Sequence, residues 1–335
     1  MVTGLVAGLL ATSVAVTGTS AAASADDPFE RARAAAGRVS FSGTVEVRWL
    51  DGPTEHREEV TVQSAEGSVL FRGENQVMVS ATSERLVQHK GGGWDLLWPP
   101  VLDRADRPDP ALKYQTTEHP GPDVAGRTTI AVDVRQEIAG RPPLAREQVL
   151  LDQETDLLLQ RRQFDEQGTV TRVVGFTDLV IDPATAPPSP PVRRVNLAPE
   201  PVAAASLPSA GLAPGQLADG YQRVGVYKRE GMVQVLYSDG LYDLSVFEQR
   251  GTLDRRDLGT SGGPVQVGQA DGWRYAWPGG QVVLWQAGGT VFTVVSDAPL
   301  DQVLGAARAL PAQARKPSLM ERFRSVARTL IQPLA

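Results

Sequence analysis

The string Gly259-Thr260-Ser261-Gly262-Gly263-Pro264 is the strongest catalytic lead in this chain, because it has the small-residue make-up of a serine nucleophile loop. A serine there needs a histidine base within hydrogen-bond reach and an acid to orient that base. The only histidines are His56, His89 and His119, all far upstream, and none follows the paired alanines usual before such a base. The glycine-rich string therefore reads as a loop between strands. The histidines are not spaced as metal ligands, and each stands in polar or proline-rich company, which places them on the surface. Glu58-Glu59 and Asp26-Asp27 are adjacent, and neighbours in an extended segment point to opposite sides, so neither is an acid–base pair. With no cysteine there is no thiolate nucleophile or cysteine-based metal site, and no phosphate-cradling loop, dinucleotide fingerprint or HExxH string is present. The expectation is a binder, not an enzyme, with no catalytic, cofactor-binding or metal-ligating residues.

Aromatic residues are more informative. In KGGGWDLLWPP, glycines and prolines flank the apolar set Trp94, Leu96, Leu97 and Trp98, which fits neither a regular strand nor a helix. Such a segment either lines a cavity or partner contact, or simply closes a core, since burying large aromatics is favourable in itself. Val45, Val47, Trp49, Leu86, Trp94, Leu97 and Trp98 are the candidate cavity or partner contacts.

These residues need a scaffold, and the periodicity supplies one. PFERARAAAGR, from Pro28 to Arg38, predicts a short helix with proline in its first turn. The period then changes to two. Val45, Val47 and Trp49 alternate with Glu46 and Arg48, and the alternation returns at Val60 and Val62, Val77 and Val79, Ile130, Val132 and Val134, and Val149 and Leu151. Asp165-Glu166-Gln167-Gly168 predicts a hairpin loop, and the last strand of the series ends near Asp182. The prolines between Pro183 and Pro214 mark an extended, semi-rigid linker and the clearest domain boundary. Beyond it, Tyr221 to Tyr227, Met232 to Tyr237, Leu241 to Phe247 and Val282 to Trp285 read as strands, with a turn at Ser238-Asp239-Gly240. Leu300, Val303, Leu304, Ala307 and Leu310 have helical spacing. A last helix is expected from Ser318, with Leu319, Phe323, Val326, Leu330 and Ile331 on one face and Arg322, Arg324 and Arg328 among its cations. Phe323, Arg324 and Arg328 are its candidate contacts. That helix either touches anionic lipid or an acidic partner, or packs on its own domain.

The expected organisation is a signal peptide over 1–25, an N-terminal domain over 29–182, a linker over 183–213, a smaller C-terminal domain over 214–311 and a basic amphipathic helix over 316–333. The first segment has an apolar run, LVAGLLATSVAV, and a small-x-small site at Ala23-Ser24-Ala25. It has no basic residue at its start, and Thr, Ser and Gly dilute it below the roughly 20 apolar residues a membrane anchor needs. Export follows, to the periplasm or the extracytoplasmic envelope. A net charge of −6 removes the basic footprint of a nucleic-acid binder.

At the level of whole strings, the chain resembles the RseB/MucB family. SGTVEVRW, ERLVQHKGGGWDLL, VAGRTTIAVDVR, LLLQRRQFDEQGTV and GFTDLVID are similar to its N-terminal domain, and GYQRVGVY, VQVLYSDGLYDLSVFEQ and the Val291 to Val295 strand before APLDQV to its C-terminal domain, in the same order. The resemblance covers most of residues 30–310. It implies an α+β, β-rich fold: a LolA-like incomplete antiparallel β-barrel with covering helices around an apolar cavity, then a smaller antiparallel sheet domain with a helix. It also implies a partner, the extracytoplasmic segment of a membrane-anchored anti-sigma factor, whose proteolysis the protein modulates in the envelope stress response until lipid-bearing molecules relieve the shield. The alternative is a carrier of lipid or lipoprotein that uses the same cavity. The long proline linker and the extra C-terminal helix depart from the family pattern.

Overall fold

The computed structural model describes residues 27–65, 68–73, 76–81, 84–89, 94–96, 108–183, 200–201, 216–229, 232–254, 258 and 262–311. The expected signal peptide, most of the linker and the C-terminal helix lie outside these residues.

Helix α1 spans Pro28–Arg38. Asp27 caps it, its carboxylate accepting the Phe29 N–H at 3.0 Å, and Pro28 occupies the first turn, where a missing N–H costs nothing. Eleven strands follow: β1 Phe41–Asp51, β2 Thr54–Ala65, β3 Ser68–Arg72, β4 Gln76–Ala81, β5 Glu84–His89, β6 Trp94–Leu96, β7 Tyr114–Pro120, β8 Thr129–Gln136, β9 Leu144–Asp152, β10 Leu158–Phe164 and β11 Val170–Ile181. They form one antiparallel sheet in the order β6-β5-β4-β3-β2-β1-β11-β10-β9-β8-β7. Two meanders thus join where β1 meets β11, the first and last strands of the series. Among the described residues the ends, β6 and β7, are not paired with each other and the sheet is open, as in an incomplete barrel.

Alternation explains which face is buried. Val45 and Val47 on β1, Val60 and Val62 on β2 and Val174 and Phe176 on β11 are buried, while Arg48, Arg57 and Glu59 reach water. The hairpin between β10 and β11 is held by Asp165, whose carboxylate accepts the N–H groups of Gln167 and Thr169, with Gly168 at φ +78°. Strand β9 departs from simple alternation: Val149, Leu150 and Leu151 are all buried. The reason is the β7–β8 connection, which lays Val124 into the same cluster as Leu150 and Ala131 and so covers the second face.

The second sheet contains β12 Glu200–Pro201, β13 Gln222–Arg229, β14 Met232–Ser238, β15 Asp243–Arg250, β16 Gly263–Val267, β17 Ala270–Trp277, β18 Gly280–Ala287 and β19 Thr290–Ser296, in the order β12-β13-β14-β15-β19-β18-β17-β16. Helix α2, Leu300–Ala307, follows β19 and buries Val303, Ala306 and Ala307 against Val283, Trp285, Phe292 and Val294. The core under α2 also takes in Tyr114 and Val134 from the first sheet, so the two sheets share buried surface. The expected loop at 259–264 is shorter than the string: Gly263 and Pro264 open β16, and Ser261 lies outside the described residues.

Candidate functional site

Between the sheets lies a cavity of about 90 Å³. Three elements wall it. Phe29, Ala32 and Ala36 come from α1; Phe41, Val62, Phe71, Leu151, Leu157 and Phe176 belong to the first sheet and the turn before β10; Gly240, Leu241 and Asp297 come from the second sheet's connections and Asp243 from the start of β15. Most of the wall is apolar. The end nearest the second sheet is not.

That end is built on Arg161 and Glu147, neighbours across β10 and β9 and both buried. The guanidinium donates from Nε and Nη2 to the two carboxylate oxygens of Glu147, a bidentate pair, and from Nη1 to Asp297 Oδ2 at 3.2 Å. Asp297 follows β19 and is held in place by its own sheet, its other oxygen accepting the Asp243 N–H at 3.1 Å. Gln163 reaches across as well, donating to the Asp297 carbonyl at 2.8 Å. Arg172 donates to the side-chain oxygen of Gln163 at 3.1 Å, yet its Nε and Nη2 are buried without a hydrogen-bond partner. Burial, reinforced by the like charge of Arg161, pushes the Arg172 pKa down to about 9. Burial also works against charge on Arg161, but Glu147 and Asp297 outweigh it and its pKa rises. Glu147 goes the other way from an ordinary salt-bridged acid: loss of water raises its pKa in spite of Arg161.

Two further clusters flank this one. Arg146 donates to Asp301 at 2.7 Å and to Gln136 at 2.8 Å, while the Tyr242 hydroxyl donates to the Arg146 carbonyl at 3.1 Å. On the other side, the Tyr114 hydroxyl donates to Asp239 at 2.6 Å, and Lys113 pairs with the same carboxylate. Burial, together with Asp239, raises the Tyr114 pKa far above the usual phenol value, so the group stays a donor. The turn that carries Asp239 approaches closely. At Gly240, φ is +92° and a Cβ would stand 2.6 Å from the Pro108 carbonyl oxygen, so only glycine fits.

The residues expected from sequence are distributed differently. Val45 and Val47 are buried in one cluster with Phe41, Val62, Phe71 and Phe176, and it is these neighbours that form the cavity wall. Trp49 packs at the edge of that cluster, stacked on His56 with ring centres 5.3 Å apart, and faces a separate cleft with Arg48, Leu50 and Arg162. Leu86 pairs with Leu96 and Gln88 with Trp94 where β5 meets β6, which places Leu86 and Trp94 on adjacent strands near the sheet's open end. Leu97, Trp98, Phe323, Arg324 and Arg328 lie outside the described residues. Sequence reasoning passed over Arg161, Glu147, Arg172 and Asp297. Arg161 stands between Val149 and Val174, and charge alternating with apolar residues ordinarily means a solvent face, whereas Glu147 and Arg172 stand beside Gln163 and Asp297 lies beyond the end of β19. Among the described residues no group of three or more His, Asp or Glu could hold a metal ion, and no helix is long and apolar enough to cross a membrane.

No protein-family model matches the sequence, and no curated protein matches it. Solved structures do match. The chain is similar to MucB. Against the complex of Pseudomonas aeruginosa MucA and MucB the match covers 86% of this chain and 98% of that one, at 19% identity and a TM-score of 0.49. Against a crystal structure of MucB it covers the same shares, at 20% identity and a TM-score of 0.49. A LolA superfamily protein from Nitrosomonas europaea matches over 82% of this chain and 92% of that one, at 10% identity and a TM-score of 0.19.

Proposed function

We propose that this chain is an exported, non-catalytic regulator of the RseB/MucB kind, which binds the extracytoplasmic segment of a membrane-anchored anti-sigma factor and modulates its proteolysis in the envelope stress response. One observation carries the reading: both sides of the junction lie within the strings that resemble the family. Arg161 belongs to LLLQRRQFDEQGTV on β10, whereas Asp239 and Gly240 belong to VQVLYSDGLYDLSVFEQ at the β14–β15 turn. The likeness therefore takes in residues on both sides of the junction, Arg161 and Gln163 on one and Asp239 on the other, which a stand-alone carrier domain would not need. A regulator of this kind acts by occupancy and needs no nucleophile or metal.

The test is calorimetric titration of the mature protein, beginning at Asp26, against the extracytoplasmic segment of its candidate anti-sigma factor, with and without a lipid-like amphiphile. Saturation near one partner per subunit, weakened by amphiphile, is the expected result, and linkage requires the partner to weaken amphiphile binding by the same factor. Amphiphile binding with no measurable partner affinity would favour the second reading, a lipid or lipoprotein carrier, for which the apolar wall of the cavity speaks. Export implies cleavage after Ala25, and intact mass of the mature protein checks it. Deleting residues 316–335 is expected to lower binding to anionic vesicles if the basic helix touches membrane.

A further inference from the structure

We infer that the Ser238–Tyr242 turn, together with Asp297, is a polar latch that closes the cavity, so that filling the cavity undocks one sheet from the other. The inference deepens the reading above by naming how a ligand would act on the two-sheet arrangement.

Pockets for small organic ligands start at roughly 300 Å³, and this cavity holds about 90 Å³. An occupant of that class that is fully enclosed must displace a wall. The first-sheet wall is a run of hydrogen-bonded strands backed by buried Val45, Val47 and Val174, and moving it would break the ladder. Helix α1 is tied to that wall by apolar burial too, with Phe29 and Ala32 packed on Val132, Val149 and Leu151. The remaining wall, Gly240, Leu241, Asp243 and Asp297, belongs to the second sheet.

That wall is held by polar contacts in addition to the apolar core that Tyr114 and Val134 share with the second sheet. Asp297 is tied to the first sheet through Arg161 and Gln163, and Asp239 through Tyr114 and Lys113, all side-chain contacts to charged or polar groups. Gly240 sits against Pro108 and Pro110 with no room for a methyl group. Contacts of this kind are lost over a short displacement, whereas an apolar core yields gradually. The same side chains, Arg161 and Asp297, both line the cavity and carry the docking, so a ligand whose polar end competes for Arg161 removes a docking bond as it enters.

The chain has no cysteine, so a nitroxide pair can be placed without background. Val180 and Gln249 are exposed, one on each sheet. The mature protein carrying Val180→Cys and Gln249→Cys would be labelled, and the interspin distance measured by pulsed electron paramagnetic resonance during titration with 1-anilinonaphthalene-8-sulfonate. The dye is expected to shift or broaden the distance distribution in step with its fluorescence. Asp297→Asn and, separately, Gly240→Ala should broaden the distribution before any dye is added and tighten dye binding about fivefold, because the undocked state is then cheaper to reach. Asp178→Asn, on the outward face of β11, is the control and should change neither. A distribution that stays fixed while the dye saturates would overturn the latch, as would unchanged dye affinity in both latch variants. Partner binding is not measured, so this failure is separate from failure of the regulatory reading.

Discussion

The core beneath α2 and the junction between the sheets are both buried, yet they are built from opposite materials. Under α2, Trp285 stacks on Phe292 at 5.3 Å among Val283, Val294, Val303 and Ala306. Its one polar group, the indole N–H, is satisfied by the Pro311 carbonyl at 2.8 Å. At the junction, Arg146, Glu147, Arg161 and Arg172 are buried on one side and meet Asp297 and Asp301 on the other. Apolar contact is non-directional and tolerant of small shifts, so the first region contributes stability. Buried ion pairs nearly cancel their own desolvation cost, but they are satisfied in one arrangement only, so the second region contributes geometry. The sheets are thus set against each other by buried ion pairs beside the apolar core under α2, which Tyr114 and Val134 extend to the first sheet.

The largest expected effect tests the stabilising half. Trp285→Ala removes a fully buried indole and should cost about 3–5 kcal/mol in denaturant unfolding. A loss under about 1 kcal/mol would mean that the core collapses around the gap. Next comes the junction. Arg161→Met strands the Glu147 carboxylate without its cation and should cost about 3 kcal/mol. Adding Glu147→Leu should recover at least half of that, since an apolar pair of similar volume avoids the desolvation that the ions incur. If the double variant is less stable than the single one, the ion pair stabilises on balance and the contrast with the core disappears. Tyr114→Phe, which deletes a donor to Asp239, should cost about 1–2 kcal/mol by the same measurement.

The contrast also explains what could be read from sequence. Period-two alternation in FSGTVEVRWL marks β1, and the proline in PFERARAAAGR marks the start of α1, because both signals are local. The helix expected from the spacing of Leu300, Val303, Leu304, Ala307 and Leu310 appears as Leu300–Ala307 for the same reason. The open order of the first sheet is not local: it depends on β1 finding β11, a partner far along the chain, and only the family resemblance implied it. The junction was illegible. In RRQF, Arg161 and Arg162 look alike, but Arg161 turns in toward Glu147 and Arg162 turns out toward Gln160. Which arginine is buried depends on the second sheet standing over one face, and no local pattern encodes that.

The smallest effect concerns a third kind of contact, at the rim. Arg127 binds both oxygens of Asp152, at 2.7 and 2.9 Å, and also Glu154, with the guanidinium partly in water. Burial alone would raise the Asp152 pKa, but the hydrogen bonds from Arg127 and Thr155 outweigh it and hold the carboxyl below its usual range. Because the folded pKa lies below the unfolded one, the unfolded chain binds more protons between the two values. The stabilisation is therefore complete above the unfolded value, near about 4, and is lost as pH falls through the lower folded value. Arg127→Ala should cost about 1 kcal/mol at pH 7. The gap between wild type and variant should narrow as unfolding is measured at successively lower pH below about 4, where protonation of Asp152 removes in the wild type what the substitution has already removed in the variant. A gap that stays constant down to pH 2 would mean that Arg127 acts through packing of its stem and not through the carboxylate, and would move this contact to the apolar side of the comparison.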